Sequence, residues 1–153
     1  MAPLSPADAE VALRTFPRRW RALLAGLDPD DPDTEVRLRH VGPDGLSAVG
    51  AATEAAVALE FAQGRVRRAV SSDRPTLDAG GEPGELPLAE ALDRIEAGAP
   101  ALATTIAAVA VGDLDRQADL AGRTVSVRSL VSDVVQHVAD LLRSADRALH
   151  TRS

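Results

Sequence analysis

Apolar residues along this chain recur at the spacing of helices that pack into a bundle. In two segments the interval alternates between three and four residues, which is the seam of a heptad repeat. The first seam consists of Ala9, Leu13, Phe16, Trp20, Leu23 and Leu27, and the other of Leu88, Leu92, Ile95, Ala99, Leu102, Ile106 and Val109. Ser5 and Pro6 suit the start of the first helix, because serine caps helices and proline fits their first position. The pattern predicts two amphipathic helices.

Proline interrupts both seams. Pro17 and Pro100 lie just off the two apolar stripes. Each lacks a backbone donor and crowds the preceding turn. We therefore expect a kink in both helices, or a break of the first helix near Arg14.

Two further helices are expected, with different compositions. After Gly45-Leu46-Ser47, the segment from Gly50 to Gly64 consists mostly of alanine and other apolar residues. Alanine is the best helix former, and its small side chain leaves space beside longer neighbours. The last helix, expected within Ser126 to Leu149, has one broad apolar sector. That sector contains Leu130, Val131, Val134, Val135, Val138, Leu141, Leu142, Ala145 and Leu149.

Polar, turn-rich segments separate these helices. We expect connections at 28–43 and 71–85, and a tight excursion around Ala121-Gly122 before Ser126 or Ser129 caps the last helix. Four amphipathic helices of this kind predict an all-α, left-handed four-helix bundle. Its long loop joins the second and third helices, residues 1–153 form a single domain, and no substantial sheet is expected.

Composition narrows the chemistry. The chain has no cysteine, and all 17 of its Lys and Arg positions are arginine, so thiolate metal sites and lysine Schiff bases are excluded. A net charge of −6 and an aromatic content of 2% argue against nucleic acid as a partner. No apolar run could span a membrane, and the N-terminus lacks the form of a signal peptide. We expect a cytoplasmic protein with no membrane partner.

His137 is the strongest candidate for chemistry. It borders the apolar sector of the last helix, with Asp133 four residues before it and Asp140 three residues after it. Both carboxylates can reach the same side of the imidazole ring. This arrangement fits a metal ligand, a general base, or a histidine that is hydrogen-bonded for packing alone. The three alternatives stay open at this point.

Two glutamates and an arginine cluster are further candidates for ligand binding. Glu54 and Glu60 lie about 120° apart on the second helix, so they cannot form a catalytic pair on one face. Glu54 is either solvated or paired with an arginine, and Glu60 needs an arginine partner if it points inward. The cluster of Arg65, Arg67 and Arg68 has two interpretations. It holds an anionic thiol or a substrate carboxylate, or its positive charges simply stabilise the C-terminal end of the second helix through the helix dipole.

The order of these segments resembles a known family. The features that carry the resemblance are Gly45-Leu46-Ser47, the long loop, the helix from Leu88 to Val109 and the run from Gly122 to Val127. They resemble the DinB-like bundles and are similar to the N-terminal domain of mycothiol-dependent maleylpyruvate isomerase. The resemblance covers most of the chain. It implies a four-helix bundle that binds a small metabolite and, as cofactor, a divalent metal or a low-molecular-weight thiol.

The resemblance also implies positions for a metal site. Members of this family hold the metal with one histidine from the second helix and two histidines, four residues apart, from the fourth. Carried over to this chain, the second-helix position is Glu54, and the pair is either Gln136 and Asp140 or His137 and Leu141. Neither register keeps three histidines. The resemblance therefore implies a degenerate site that favours other metals or none.

Two functions from different classes follow. In the first, the bundle binds a small metabolite between the second and fourth helices and works as a thiol-linked transferase or isomerase. His137 is then the catalytic base, and Glu54, Glu60, Asp133 and Asp140 contact the ligand. In the second, the bundle has lost metal and activity and serves as a non-catalytic homodimer or scaffold. The missing histidines favour the second function, whereas the small residues of the second helix favour a retained pocket.

Overall fold

Helices account for most of the structure. It is a computed structural model that describes residues 4–81 and 84–150. The helices are α1 (Pro6–Leu24), α2 (Pro32–Arg39), α3 (Ala48–Ser71), α4 (Leu88–Ala107) and α5 (Val127–His150), with a 3₁₀ turn at Val111–Asp113. The four long helices α1, α3, α4 and α5 form a bundle. The all-α four-helix fold with a long connection between its second and third helices is thereby confirmed.

The segments that link the helices also form a small sheet. Strand β1 (Thr76–Leu77) runs parallel to β2 (Gln117–Leu120), and β2 pairs antiparallel with β3 (Arg123–Ser126). Ala121 and Gly122 form the turn between β2 and β3, at the position that the sequence indicates. The strands themselves were not expected, because strands of two and four residues are too short to give a periodic signal.

Each bundle helix packs against two of the other three. Helix α3 lies against α4 and α5, and α1 lies against the same two helices. The consecutive helices α1 and α3 are therefore diagonal to each other, as are α4 and α5. A tight turn cannot join diagonal helices, so α2 lies in the first of these connections and the β2–β3 hairpin in the other.

Serine side chains begin three of the four bundle helices. Ser5 Oγ accepts the backbone N–H of Asp8 at 3.1 Å, and Ser47 Oγ accepts that of Gly50 at 3.0 Å. At the start of α5, Ser126 and Ser129 each accept the other's backbone N–H at 3.0 Å. This reciprocal pair satisfies two amide donors that the helix leaves unpaired. It fixes where α5 begins, and hence where His137 lies along it.

The apolar seams predicted from the sequence form the core. In α1 and α4 the fully buried seam positions are Ala9, Leu13, Phe16, Trp20, Ile95, Ala99, Leu102 and Ile106. All nine residues of the apolar sector of α5 are buried as well. Both prolines lie inside continuous helices, so α1 does not break near Arg14.

Helix α2 lies within the polar, turn-rich connection expected at 28–43, where the sequence pattern predicts no helix. Asp31 Oδ1 accepts the N–H of Asp33 at 2.9 Å, and Pro32 occupies the first helical position. Glu35 and Arg39, four residues apart, form an ion pair at 2.6 Å. Asx capping, proline and an i,i+4 pair are all helix-start or helix-surface signals. These signals are present in the sequence. The helix has only two buried residues, Thr34 and Leu38, so it shows no apolar periodicity that would predict it.

Within residues 4–81 and 84–150, no helix is both long enough and apolar enough to cross a bilayer.

Candidate functional site

Two adjoining cavities lie between α3 and α5. The first, here called the loop cavity, measures ≈ 340 Å³ and is lined by Glu54, Val57, Ala58, Phe61, Arg65, Ala79, Gly80, Gly81 and His137. The second, here called the hairpin cavity, measures ≈ 210 Å³ and is lined by Ala58, Ala62, Arg65, Leu120, Arg123, Val125, Leu130, Asp133, Val134 and His137. The loop cavity is within the size range of small-molecule sites, about 300–1,000 Å³.

His137 and Arg65 lie where the two cavities meet. Both line the loop cavity and the hairpin cavity, as does Ala58. Glu54 borders only the loop cavity and Asp133 only the hairpin cavity. The structure thus brings His137, Glu54 and Asp133 into one cleft, with one carboxylate on the lining of each cavity.

One face of α3 forms the long wall of the cleft. Glu54, Ala58, Phe61 and Arg65 follow one another at intervals of four, three and four residues, which places them on a single helical stripe. Alanine at position 58 leaves the space that both cavities occupy. This stripe runs beside the buried alanines of α3. Its spacing can be read from the sequence, although Phe61 was not named there as a candidate.

Arg65 is held in position by its neighbours. Its Nε donates to the carbonyl oxygen of Asp78 at 2.9 Å, and its guanidinium lies 5.3 Å from the centre of the Phe61 ring. A stacked, hydrogen-bonded arginine loses little freedom when it binds an anion. Of the three arginines near the end of α3, Arg65 borders the cleft, whereas Arg67 and Arg68 line neither of its cavities.

The connection after β1 closes the far side of the loop cavity. Gly80 has a φ of +75°, and a Cβ atom there would lie 3.3 Å from the ring of Phe61. The backbone therefore approaches the aromatic ring closely enough that a side chain at position 80 would crowd it, in a conformation that other residues rarely adopt. The N–H of Gly80 also donates to Asp78 Oδ1 at 2.9 Å, which stabilises this turn.

The β2–β3 hairpin supplies the wall of the hairpin cavity. Its turn residues Ala121 and Gly122 have φ values of 51° and 80°, and a type I′ hairpin requires positive φ at both. Arg116, just before β2, donates to the carbonyl oxygens of Ala69 and Ser72 at 3.2 and 3.0 Å. These bonds tie the hairpin to the end of α3. Arg123 then begins β3 at the edge of the cavity.

The two aspartates beside His137 behave differently. Asp140 is exposed, forms an ion pair with Arg143 and borders neither cavity. Asp133 shares the hairpin cavity with His137, but within the described residues the imidazole forms no hydrogen bond or ion pair with either carboxylate. The expected arrangement, with both acids holding the ring in one tautomer, is not observed. The carboxylate of Asp140 does not bind the imidazole because it pairs instead with Arg143, three residues further along the helix.

Glu60 lies outside the cleft. Its carboxylate accepts from Arg94 Nε of α4 at 2.9 Å, and a further hydrogen bond joins the same two side chains. The hydrogen bond to Glu60 raises the pKa of Arg94. Glu60 does have the arginine partner that the sequence analysis required of an inward position, yet its side chain is 43% exposed. It fastens α3 to α4 and is not placed to contact a ligand at His137.

The side chains of the cleft do not form the metal site that the family resemblance implies. Within residues 4–81 and 84–150, no group of three or more His, Cys, Asp or Glu side chains is placed to hold a metal ion. The loop cavity offers one imidazole, from His137, and one carboxylate, from Glu54. Zinc and nickel sites need more nitrogen or sulfur donors than this. The residues present therefore do not fit a resident transition metal.

Two residues of the cleft gave no signal in the sequence. Arg123 and Leu120 line the hairpin cavity together with His137 because the hairpin folds beside α3 and α5. Since their sequence positions are 14 and 17 residues from His137 and lie on another element, no helical spacing could connect them.

Comparison with known proteins supports the fold. The chain is similar to YfiT from Bacillus subtilis, described as a probable metal-dependent hydrolase with an unusual four-helix bundle topology. The match has a TM-score of 0.73 at 11% sequence identity and covers 94% of this chain and 90% of that one. No protein-family model and no curated protein sequence matches the chain. At this identity the likeness shows the fold alone, a four-helix bundle.

Proposed function

We propose that this chain binds a small metabolite in the cleft between α3 and α5 and that His137 acts on it as a general base. The observation that carries the proposal is the position of His137 at the junction of the two cavities. Within the described residues its ring has no hydrogen-bond partner. An imidazole that faces a ligand-sized cavity and is not engaged by the protein is available to exchange a proton with a bound molecule.

A low-molecular-weight thiol is the ligand that this chemistry and the DinB-like fold favour together. The S–H group donates its proton to a ring nitrogen of His137, and the thiolate attacks the electrophilic carbon of a second substrate. The imidazolium then returns its proton to the product or to water. Glu54, which also lines the loop cavity, stabilises the imidazolium by its negative charge. The reaction is a thiol transfer or, where the added thiol leaves again, an isomerisation.

The test uses N-acetylcysteine as the thiol and 1-chloro-2,4-dinitrobenzene as the electrophile. An S–C bond forms, chloride leaves, and the thiol proton passes through His137 to solvent. We expect the protein to accelerate this reaction and His137→Gln to remove about a hundredfold or more of that acceleration, the range typical of a general base. His40→Gln, which alters an imidazole outside the cleft, is the control. Equal rates in wild type and His137→Gln would contradict the catalytic role.

The second candidate is a non-catalytic, homodimeric bundle that binds its ligand without reaction. The observation that favours it is the donor set around His137, which retains one imidazole where the family has three. In this case light scattering finds two chains per particle, and N-acetylcysteine raises the thermal midpoint without any rate acceleration.

Both candidates share an expectation about metal. The purified protein should contain no stoichiometric transition metal, and its thermal midpoint should not change with a chelator. About one zinc or nickel ion per chain, lost in His137→Ala, would restore the metalloenzyme interpretation.

A further inference from the structure

The hairpin cavity has a more apolar lining than the loop cavity beside it. Most of its lining is apolar, and the residues responsible are Ala58, Ala62, Leu120, Val125, Leu130 and Val134. Its volume is ≈ 210 Å³, and an apolar cavity of about 150 Å³ is enough to hold benzene. The hairpin cavity therefore has the size and the walls for an aryl ring or a short branched chain.

Charged groups surround this apolar space unevenly. Two arginines, Arg65 and Arg123, and one carboxylate, Asp133, border the hairpin cavity. Their sum is positive even when His137 is neutral, so the cavity attracts an anion. The carbonyl oxygen of Asp78 accepts a hydrogen bond from Nε of Arg65. Within the described residues, the two terminal nitrogens of that guanidinium have no hydrogen-bond partner.

Arg123 stands apart from the other arginines of its segment. Arg116 is hydrogen-bonded to the end of α3, and Arg128 pairs with Asp115 at 3.3 Å. The guanidinium of Arg123, by contrast, forms no hydrogen bond or ion pair with the side chains and backbone of residues 4–81 and 84–150. A guanidinium at the mouth of an apolar cavity, with all five donors available, is suited to bind the anionic end of a ligand whose other end is buried.

We infer that the second substrate of this cleft, the one that the thiol attacks, is an amphipathic monocarboxylate. The inference rests on the proposed function and specifies its substrate class. The apolar group of the ligand fills the hairpin cavity, and its carboxylate accepts hydrogen bonds from Arg123 and Arg65, because a planar carboxylate matches the guanidinium fork. Asp133 selects against a phosphate dianion, since the additional negative charge meets a like charge at the same rim.

A matched set of phenyl compounds tests this assignment by calorimetric titration of the full chain. The set is phenylacetate, 2-phenylethanol, phenethylamine and phenyl phosphate, with acetate as the carboxylate that lacks an apolar group. We expect phenylacetate to bind with a millimolar or lower Kd, as suits a fragment of about ten non-hydrogen atoms. The alcohol should bind about tenfold more weakly, because it loses the charge-assisted hydrogen bonds. Phenethylamine, phenyl phosphate and acetate should all bind more weakly than phenylacetate.

Two arginine variants locate the carboxylate. Arg123→Gln should weaken phenylacetate binding about tenfold and leave 2-phenylethanol binding unchanged. Arg128→Gln removes an equal charge from the start of α5, outside the cavity, and should leave both affinities unchanged. If Arg123→Gln does not alter the affinity for phenylacetate, the inference is wrong.

A variant that fills the cleft separates failure of the inference from failure of the proposed function. Ala58→Leu inserts a side chain where the two cavities meet. If the alcohol or phenyl phosphate binds as tightly as phenylacetate, and Ala58→Leu abolishes that binding, the substrate class is wrong but the binding function stands. If neither the phenyl compounds nor N-acetylcysteine shows binding that Ala58→Leu abolishes, the proposed function itself fails.

Discussion

The α1–α4 side of the bundle and the α3–α5 side are built from helices of similar length but are filled by different residues. Between α1 and α4 the fully buried side chains are mostly large, namely Leu13, Phe16, Trp20, Ile95, Leu102 and Ile106. On α3 the buried residues are mostly alanines. Large side chains on a heptad seam fill the space between helices, whereas alanines leave some of it open. The two cavities lie beside alanines of α3, Ala58 and Ala62, whereas large side chains fill the α1–α4 seam.

The two phenylalanines of the chain show the contrast in one residue type. Phe16 in α1 is 0% exposed, and Phe61 in α3 is partly exposed on the wall of the loop cavity. Each has an arginine over its ring, Arg19 at 5.6 Å and Arg65 at 5.3 Å. Similar aromatic groups thus serve packing in one half and a binding surface in the other.

The largest expected effect comes from truncating these two rings. Phe16→Ala should lower the free energy of unfolding by about 3–5 kcal/mol, because it leaves a cavity in a filled core. Phe61→Ala should cost only about 1–2 kcal/mol, since part of the ring is already in contact with solvent, but it should weaken ligand binding in the cleft. Urea denaturation measures both costs. Equal costs would mean that the α3–α5 side is as tightly packed as the α1–α4 side.

Enlarging two alanines of α3 probes the same contrast from the opposite direction. Ala55 is 0% exposed in the core, and Ala58 borders both cavities. Ala55→Leu should destabilise the fold by about 1–3 kcal/mol through overpacking. Ala58→Leu should change stability by about 0.5 kcal/mol or less, because the new side chain enters open space. A large loss of stability in Ala58→Leu would show that the cleft has no room for a ligand.

The hairpin wall offers a gain in stability. Ala121 has a positive φ, which costs an L-residue with a Cβ atom about 1–2 kcal/mol. Asparagine followed by glycine is the preferred type I′ turn, so Ala121→Asn should raise the free energy of unfolding by about 1 kcal/mol. Ala121→Val should lower it, because a β-branched residue tolerates positive φ poorly. Thermal melts distinguish these outcomes, and equal midpoints in both variants would contradict the turn geometry.

The smallest effect concerns an ion pair at the far end of α5. Asp44 Oδ2 accepts hydrogen bonds from Ser144 at 2.9 Å and Arg147 at 2.7 Å. The hydrogen bond from Ser144 and then that from Arg147 lower the pKa of Asp44 below its ordinary 3.8. The stabilisation is therefore fully present above that ordinary value and is lost as pH falls through the lowered one.

Thermal melts across pH test this linkage. Asp44→Asn should lower the thermal midpoint slightly at pH 7, and its curve should converge with that of the wild type in strong acid. Asp30→Asn, which alters an exposed carboxylate, serves as the control and should follow the wild type throughout. A difference between Asp44→Asn and wild type that persists unchanged in strong acid would exclude ionisation of Asp44 as its cause.

More of the core residues than of the cleft residues could be predicted from the sequence. Heptad spacing reports which residues face a neighbouring helix, so Phe16, Trp20 and Ile95 were predicted as core and are buried. The sequence also singled out His137 and Glu54, because each stands out on an apolar or alanine-rich helix. Both border the loop cavity, and their roles stay predictions. Arg123 was missed, since a folded hairpin and not a helical period brings it to the cleft.

Ion pairing explains the site residues that were predicted but are not in the cleft. Glu60 and Asp140 each bind an arginine, Arg94 across the helix interface and Arg143 on the same helix. The sequence shows that arginines are abundant, with 17 in the chain. Which carboxylate each arginine takes is decided by helix packing and rotamers, and those become visible only in three dimensions.

The most direct test of the central claim, that the α3–α5 cleft binds ligand at His137, is a titration followed by NMR of the imidazole groups. The chain has three histidines, of which His40 and His150 border neither cavity and act as internal controls. Phenylacetate and N-acetylcysteine are added in separate titrations. The account predicts that at least one of them shifts the His137 resonances saturably while those of His40 and His150 stay in place. Unmoved His137 resonances in both titrations, or equal shifts of all three histidines, would contradict it.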